Sequence, residues 1–256
     1  MTAQVQVWRI FANSLPVVGE HLVLEDDEHH YVRNVLRLRV GEIAEITDCC
    51  GGLATATLIK SEKRFSEFCI EKIKFIPKPE RHVILFVGVP KPSALEELIS
   101  VNTELGALEI HLVYTQKVQN KQELRDDRLK KIMRESLRVS RSVWETQIFV
   151  HASLEKGIAD IPQNTIRYLC DESPLYEEHG TMYNHLLVCL NKECCCKSVV
   201  IFVGPEASFT NSERTLIRDK AGAISVTLGN NILRVPTAAA SATSICLSYF
   251  TIRECT

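Results

Sequence analysis

Two rhythms of apolar and polar positions divide this chain. Up to about Phe75 the apolar residues come in short runs separated by turn formers: "VQVWRIF", "EIAEITD", a Cys50-Gly51-Gly52 turn, "LATATLI" and "EFCIEKIKF". Runs of this length between turn signals predict strands, so residues 1–76 are expected to form a small β-rich domain. The segment "IPKPERH", with two prolines among charges, is the natural linker. Over residues 77–256 strand-like and helix-like runs alternate. "HVILFVGV" is a buried strand, and Ser93 with Glu96 predicts a capping box that opens a helix through Leu95, Leu98, Ile99 and Leu105, closed by Gly106. "EIHLVY", a long basic helix with Leu129, Ile132, Met133 and Leu137 on one side, and "TQIFV" follow. The alternation continues through "IRYLCDE", "MYNHLLVCL", "SVVIFVG", a helix opened by Thr210 with Glu213, "ISVTL" and a last helix from about Pro236 to Phe250. This pattern predicts an α/β domain with a mostly parallel sheet and helices on both faces.

The 256 residues, 45% hydrophobic and 24% charged, have globular composition, and runs such as Val83 to Val89 are too short to span a bilayer. The N-terminus has no export-signal pattern, so a soluble, cytoplasmic protein is expected. Ten cysteines with no C-x-x-C pair read as reduced thiols. The adjacent Cys194, Cys195 and Cys196 cannot easily converge on one tetrahedral ion, so no metal is expected. The net charge of -2 argues against a generic nucleic-acid binder, yet nine basic residues against four acidic ones lie between Lys117 and Arg141. That local excess, and the smaller cluster Arg33, Arg37 and Arg39, fit either a solvated helix face or a phosphate-binding one.

Open α/β sheets bind ligands at the carboxyl ends of their strands. Three loops fall there: Leu169 with Asp171-Glu172, "GPEASFT" from Gly204, and "LGNNILR" from Leu228 to Arg234. Neither G-x-G-x-x-G nor G-x-x-x-x-G-K occurs, so a ligand would be held in another way. Backbone groups at Gly204, Leu228, Gly229 and Leu233 could recognise an adenine edge, because glycine permits close approach. Each loop taken singly also reads as a structural turn.

Together, "GPEASFTNSE" and "LGNNILRVPTAA" resemble the C-terminal signature of the ribosomal RNA small subunit methyltransferase E family, knotted enzymes of the SPOUT superfamily. "RIF" at Arg9, "HHYVRNVLRLRVGE" with Asp48, and "TELGA" at Thr103 to Ala107 extend the resemblance along the chain. It implies a PUA-like RNA-binding domain at 1–76 and a SPOUT methyltransferase domain with a trefoil knot at 77–256. It further implies a homodimer, with no membrane association, acting on small-subunit (16S) ribosomal RNA or the assembled small subunit. The implied activity is S-adenosylmethionine-dependent methylation of N3 of one uridine. The implied cofactor pocket takes Leu169, Asp171, Gly204, Pro205, Glu206, Leu228, Gly229, Ile232 and Leu233. Ala207 and Ser208 depart from the family's glycine pair, Val235-Pro236 stands where it has x-Glu, Leu137-Arg138 replaces Glu-Gln, and Val101 replaces a lysine.

Uracil N3 carries a proton, so methylation requires its removal or stabilisation of the anion. Arg141 and Arg234 are candidates for the anion, and Glu206 for positioning or proton acceptance. Arg9, Arg33, Arg37, Lys117, Lys121, Arg125 and Arg128 are the expected RNA contacts. Two other readings remain: a non-catalytic RNA-binding relative that keeps the knotted fold, and an α/β enzyme binding a phosphorylated metabolite at the helix start at Thr210.

Overall fold

In the N-terminal part of the computed structural model, apolar residues at every second position build one side of a five-stranded sheet. Its strands are β1 (Trp8–Phe11), β2 (His21–Leu24), β3 (Ile43–Thr47), β4 (Gly52–Ser61) and β5 (Ser66–Phe75), in the order β1-β3-β4-β5-β2. Strand β1 runs parallel to β3, and the other pairs are antiparallel. Ala44 and Ile46, Ala54, Ala56 and Leu58, and Phe68 and Ile70 share the buried side, as a period of two requires. The structure describes residues 8–117, 124–172, 184–192 and 197–254.

Between β2 and β3 lies a short helix, α1 (Asp26–His30), which continues as a π-helical turn over Tyr31–Leu36. Arg37 ends the turn in the left-handed conformation, with φ of 55°. The expected Cys50-Gly51-Gly52 turn is present. Gly51 has φ of 99°, and a Cβ there would lie 2.5 Å from the Trp144 ring and 2.6 Å from the Ile76 carbonyl oxygen.

Trp144 belongs to this unit although it is remote in sequence. The chain forms two units, one of residues up to Lys78 together with Leu137–Glu145, the other of Pro79–Ser136 with Thr146–Thr256. In the first, the Trp144 indole N–H donates to the Ile76 carbonyl at 3.1 Å. The Arg138 guanidinium stacks on Tyr31 at 3.9 Å and Phe11 at 4.4 Å and pairs with Glu28. The expected RNA contact Arg9 is committed elsewhere. It is 7% exposed, pairs with Glu45 at 2.8 Å and reaches the Ser142 carbonyl at 3.4 Å, so its guanidinium is engaged inside this unit.

Among the described residues, the second unit holds six parallel strands: β6 (His82–Gly88), β7 (Glu109–Val113), β8 (Gln147–His151), β9 (Thr165–Cys170), β10 (Ser198–Val203) and β11 (Ile224–Val226), in the order β11-β9-β10-β6-β7-β8. The central β6 and β10 are apolar at nearly every position because both faces are covered. The helices are α2 (Pro92–Leu105), α3 (Asp126–Ser140), α4 (Leu154–Ala159), α5 (Leu186–Leu190), α6 (Asn211–Asp219) and α7 (Val235–Glu254).

Helix α2 starts differently from expectation. Pro92 takes the first helical position with Lys91 as N-cap, so Ser93 lies inside the helix and makes no capping box. Gly106 does close it, with φ of 95°. The box predicted at Thr210 and Glu213 is present at the start of α6. Helix α7 is long and apolar enough to cross a membrane by length and composition, a feature the short strand runs did not reveal. Here it packs on α2, β6 and β10, with Ala239, Ala242, Thr243 and Cys246 wholly buried. Thr243 donates to Asn102 Oδ1 at 2.8 Å inside that contact.

Beside the sheet, Phe86, His111 and Phe149 stack at centroid spacings of 4.2 and 4.6 Å. His111 Nδ1 meets His151 Nε2 at 2.8 Å, Glu109 lies 3.3 Å from the other His111 nitrogen, and Asp160 lies 3.5 Å from His151 Nδ1. Burial, then the His111 charge, holds the His151 pKa below its ordinary 6.5, and Asp160 only partly opposes this. A folded-state pKa below the unfolded value means that the unfolded chain binds the proton more readily. The stability from neutral His151 is therefore full above 6.5 and declines as pH falls from there through the folded pKa. The urea midpoint should drop between about pH 8 and about pH 5, and His151→Phe should flatten that dependence. An unchanged slope in the variant would assign the acid sensitivity to other groups.

Candidate active site

Strands β9, β10 and β11 end side by side, and the loops leaving them enclose a cavity of about 360 Å³. Its walls are Cys170 to Glu172 after β9, Val203 to Glu206 with Ser208 after β10, and Thr227 to Gly229 with Asn231 to Pro236 after β11. Ala94 and Ala238 complete it. The volume lies within the range of about 300–1,000 Å³ common for small-molecule sites.

Local chemistry fixes each loop. Thr227 Oγ1 donates to the Gly229 carbonyl at 2.7 Å and accepts from the Gly229 N–H at 3.1 Å. Gly229 has φ of 142°, and a Cβ built there meets no atom within 4 Å, so its backbone lies open to a ligand. Gly204 has no such room: a Cβ would lie 3.1 Å from the Phe209 nitrogen and 3.3 Å from its ring. Close packing extends beneath, where a Cβ on Gly88 would lie 2.4 Å from Pro205 Cδ.

Four further bonds anchor the loop after β10. Glu206 Oε1 accepts from the Lys91 N–H at 3.0 Å, and Lys117 Nζ donates to the Ala207 carbonyl at 2.7 Å. Glu213, 3% exposed, accepts from the Gln116 N–H at 2.8 Å with one oxygen and from the Thr210 N–H at 2.8 Å with the other. The cavity rim is thus tied to the segments after β6 and β7.

The expected pocket residues line this cavity, except Leu169, which is 1% exposed and packs in the core beneath. Of the expected catalytic residues, Glu206 and Arg234 line it, and Arg234 Nη2 lies 3.6 Å from Glu97 with both side chains substantially exposed. Arg141 does not line it; it follows α3 in the first unit, with φ of 57°. Cys170 and Thr227 are wall residues that sequence reasoning did not single out. The Cys170 thiol is pushed up to about 12 by burial and by the charge of Asp171, so it remains protonated and is a poor nucleophile.

Among the expected RNA contacts, Arg37, Lys117 and Arg125 are exposed, while Arg33 donates to the Glu62 carbonyl. Arg128 makes a two-pronged pair with Glu96 at 2.9 and 3.0 Å. Lys121, and the cysteines at 194–196, lie outside the described residues.

Comparison with known proteins agrees with this geometry. Residues 77–247 match a model described as an RNA methyltransferase domain, and residues 24–68 match an RNA methyltransferase PUA domain. Ribosomal RNA small subunit methyltransferase E of Rickettsia conorii is 28% identical over 239 residues, covering 91% of this chain and 92% of its own. The Synechocystis protein of the same name is 26% identical, covering 91% and 75%. In structure, ribosomal RNA small subunit methyltransferase E from Neisseria gonorrhoeae, bound to S-adenosyl methionine, superposes with a TM-score of 0.80 at 20% identity, covering 96% of this chain and 98% of that one. A probable rRNA-methyltransferase from Porphyromonas gingivalis gives 0.79 at 22% identity, covering 97% and 99%. With most of its length matched by one family model, and with two relatives of one name each aligned over 91% of it, the chain belongs to the RNA methyltransferase family that includes ribosomal RNA small subunit methyltransferase E.

Proposed function

We propose that this protein is an S-adenosylmethionine-dependent 16S ribosomal RNA methyltransferase that modifies N3 of one uridine. The observation that carries the reading is the cavity at the ends of β9, β10 and β11, whose walls unite loops more than fifty residues apart in sequence, with glycine backbone exposed at Gly229.

The cavity suits the cofactor. Leu228, Gly229 and Leu233 offer main-chain groups and apolar surface to an adenine ring, while Asp171 and Glu172 place carboxylates at the wall nearest β9. Gly204, Pro205 and Ile232 add to the walls. When bound, S-adenosylmethionine supplies an electrophilic methyl group on a sulfonium. The protein must then orient uracil N3 toward that carbon and stabilise the charge left as the N3 proton departs. Arg234 is suited to the uracil carbonyl oxygens, because its 3.6 Å pairing with Glu97 is exposed and easily exchanged. Glu206 acts as a positioning residue through the Lys91 N–H, which donates to its Oε1 at 3.0 Å. Arg141 is assigned to the substrate side, outside the cofactor walls.

The first 76 residues are assigned to RNA engagement and residues 77–256 to methyl transfer, with the last helix threaded as a trefoil knot. The active species is assigned as a cytoplasmic homodimer. The apolar groove along Leu105, Leu247 and Ile252 supports a second copy, and mass by light scattering checks this. Exposed basic residues Arg33, Arg37, Lys117, Arg125 and Arg128 are assigned to phosphate. Since Arg128 is already paired with Glu96, the cleaner test of α3 is Arg125→Glu with Lys130→Glu. This variant should weaken RNA binding and lower the salt slope by about two units, with S-adenosylmethionine affinity unchanged. Parent-like affinity and slope would remove α3 from the RNA face.

The function itself is tested by calorimetric titration with S-adenosylmethionine and by methyl transfer to unmodified small ribosomal subunits with mapping of the product. Binding with product at uridine N3 supports the proposal. Binding without turnover favours the non-catalytic relative, for which the substitutions at Ala207 and Pro236 speak. No binding overturns both the cofactor and the mechanism.

A further inference from the structure

Among the described residues lining the cavity, Ser208 is the only non-glycine with positive φ, at 57°. L residues other than glycine, asparagine and aspartate seldom adopt that conformation without support. Its N–H donates to the Pro205 carbonyl at 2.8 Å and closes a tight turn in the cavity wall. Its hydroxyl accepts from Arg214 Nη2 at 2.8 Å. The same guanidinium brings Nε to 3.6 Å from Asp171 Oδ1, with side-chain exposures of 16% for Arg214 and 1% for Asp171. Arg214 sits in the first turns of α6 and does not line the cavity. One largely buried cation therefore joins the loop after β9 to the loop after β10, and both are cavity walls. A guanidinium suits this task, since its rigid fork can address two acceptors at fixed angles, which a lysine cannot do.

We propose that Arg214 is a positioning residue for the cofactor loop: it holds Ser208 in the left-handed conformation and fixes the turn at Pro205–Ser208 against Asp171, a role that glycine at 208 would make unnecessary. The inference rests on the cofactor reading of the cavity and makes that reading specific to this chain, in which Ala207 and Ser208 stand where the family pattern has two glycines.

The test is a coupling experiment on the intact protein with S-adenosylmethionine as probe. Arg214→Gln should weaken binding about tenfold, as expected for loss of a charge-assisted hydrogen bond. It should raise KM for S-adenosylmethionine while leaving kcat at saturation within about twofold, because no interaction unique to the transition state is removed. Ser208→Gly alone should bind within about twofold of the parent, and in the Arg214→Gln background should recover most of the lost affinity, since glycine needs no support at this φ. A merely structural role for Arg214 would give equal losses whether position 208 carries serine or glycine, and that result overturns the proposal. So does parent-like binding by Arg214→Gln. Amide hydrogen exchange at Ser208, measured without ligand, gives a second readout. Exchange should quicken in Arg214→Gln, and an unchanged rate overturns the loop assignment. If the parent itself binds no S-adenosylmethionine, the cofactor reading fails, whereas the exchange measurement still decides what Arg214 does to the loop.

Discussion

Gly229→Val is expected to lower S-adenosylmethionine affinity by about 100-fold or more, equivalent to roughly 2.7 kcal/mol. Two effects of the added side chain must be separated. A Cβ at position 229 meets no protein atom within 4 Å, so the valine clashes with nothing in the folded chain and instead takes up ligand space. Its backbone, at φ of 142°, lies where a β-branched residue is strained, at a cost of about 1–3 kcal/mol to folding. Gly222 provides the control: it has φ of 64°, equally open surroundings and no place in the cavity wall. Gly222→Val should lower the melting temperature comparably and leave binding intact. Tight binding by a folded Gly229→Val protein would overturn the pocket assignment.

Glu213→Ala should be the most destabilising substitution around the cavity, costing about 3 kcal/mol in urea unfolding. The carboxylate is 3% exposed and accepts from two backbone N–H groups that alanine would leave unsatisfied. One of these belongs to Gln116 and the other to Thr210, so the loop after β7 and the loop after β10 lose their common anchor together. S-adenosylmethionine affinity should fall in parallel. Glu213→Gln keeps one carbonyl acceptor and should recover part of both losses. A variant as stable as the parent would show that water replaces the carboxylate at little cost.

The sheet of the second unit was legible because parallel central strands must be apolar at nearly every position, and Val83 to Val87 and Val199 to Val203 have that composition. The cavity was legible for a related reason, since glycines and a capping box at strand ends constrain where backbone can approach a ligand. What escaped depended on partners and local geometry that spacing alone does not show. Arg9 looks like any surface cation until Glu45 and the Ser142 carbonyl are brought to it. Ser93 was a sound capping candidate by spacing, but Pro92 fixed the start of the helix two residues earlier, with Lys91 as its N-cap. Ala207 and Ser208 both depart from the glycine pair, and the sequence does not show that only Ser208 is left-handed, with its support coming from Arg214 six residues on. The helix and π turn over Asp26–Leu36 had no clear period of 3.6 to announce them.

The proline-bearing linker near Lys78 looks like the place to cut the protein in two, but the N-terminal unit is discontinuous in sequence. Its strands close around Trp144, which fills the space above Gly51, and around Arg138, which is sandwiched against Phe11 and Tyr31. Both side chains are supplied by a stretch encoded almost sixty residues downstream. A gene fragment ending at the linker would therefore yield an open-sided sheet with its aromatic plug missing and Glu28 without its counter-charge. During synthesis the first five strands must likewise wait, incomplete, until much of the next unit has left the ribosome. Isolation of this N-terminal unit calls for a fusion that carries residues 137–145 back to it.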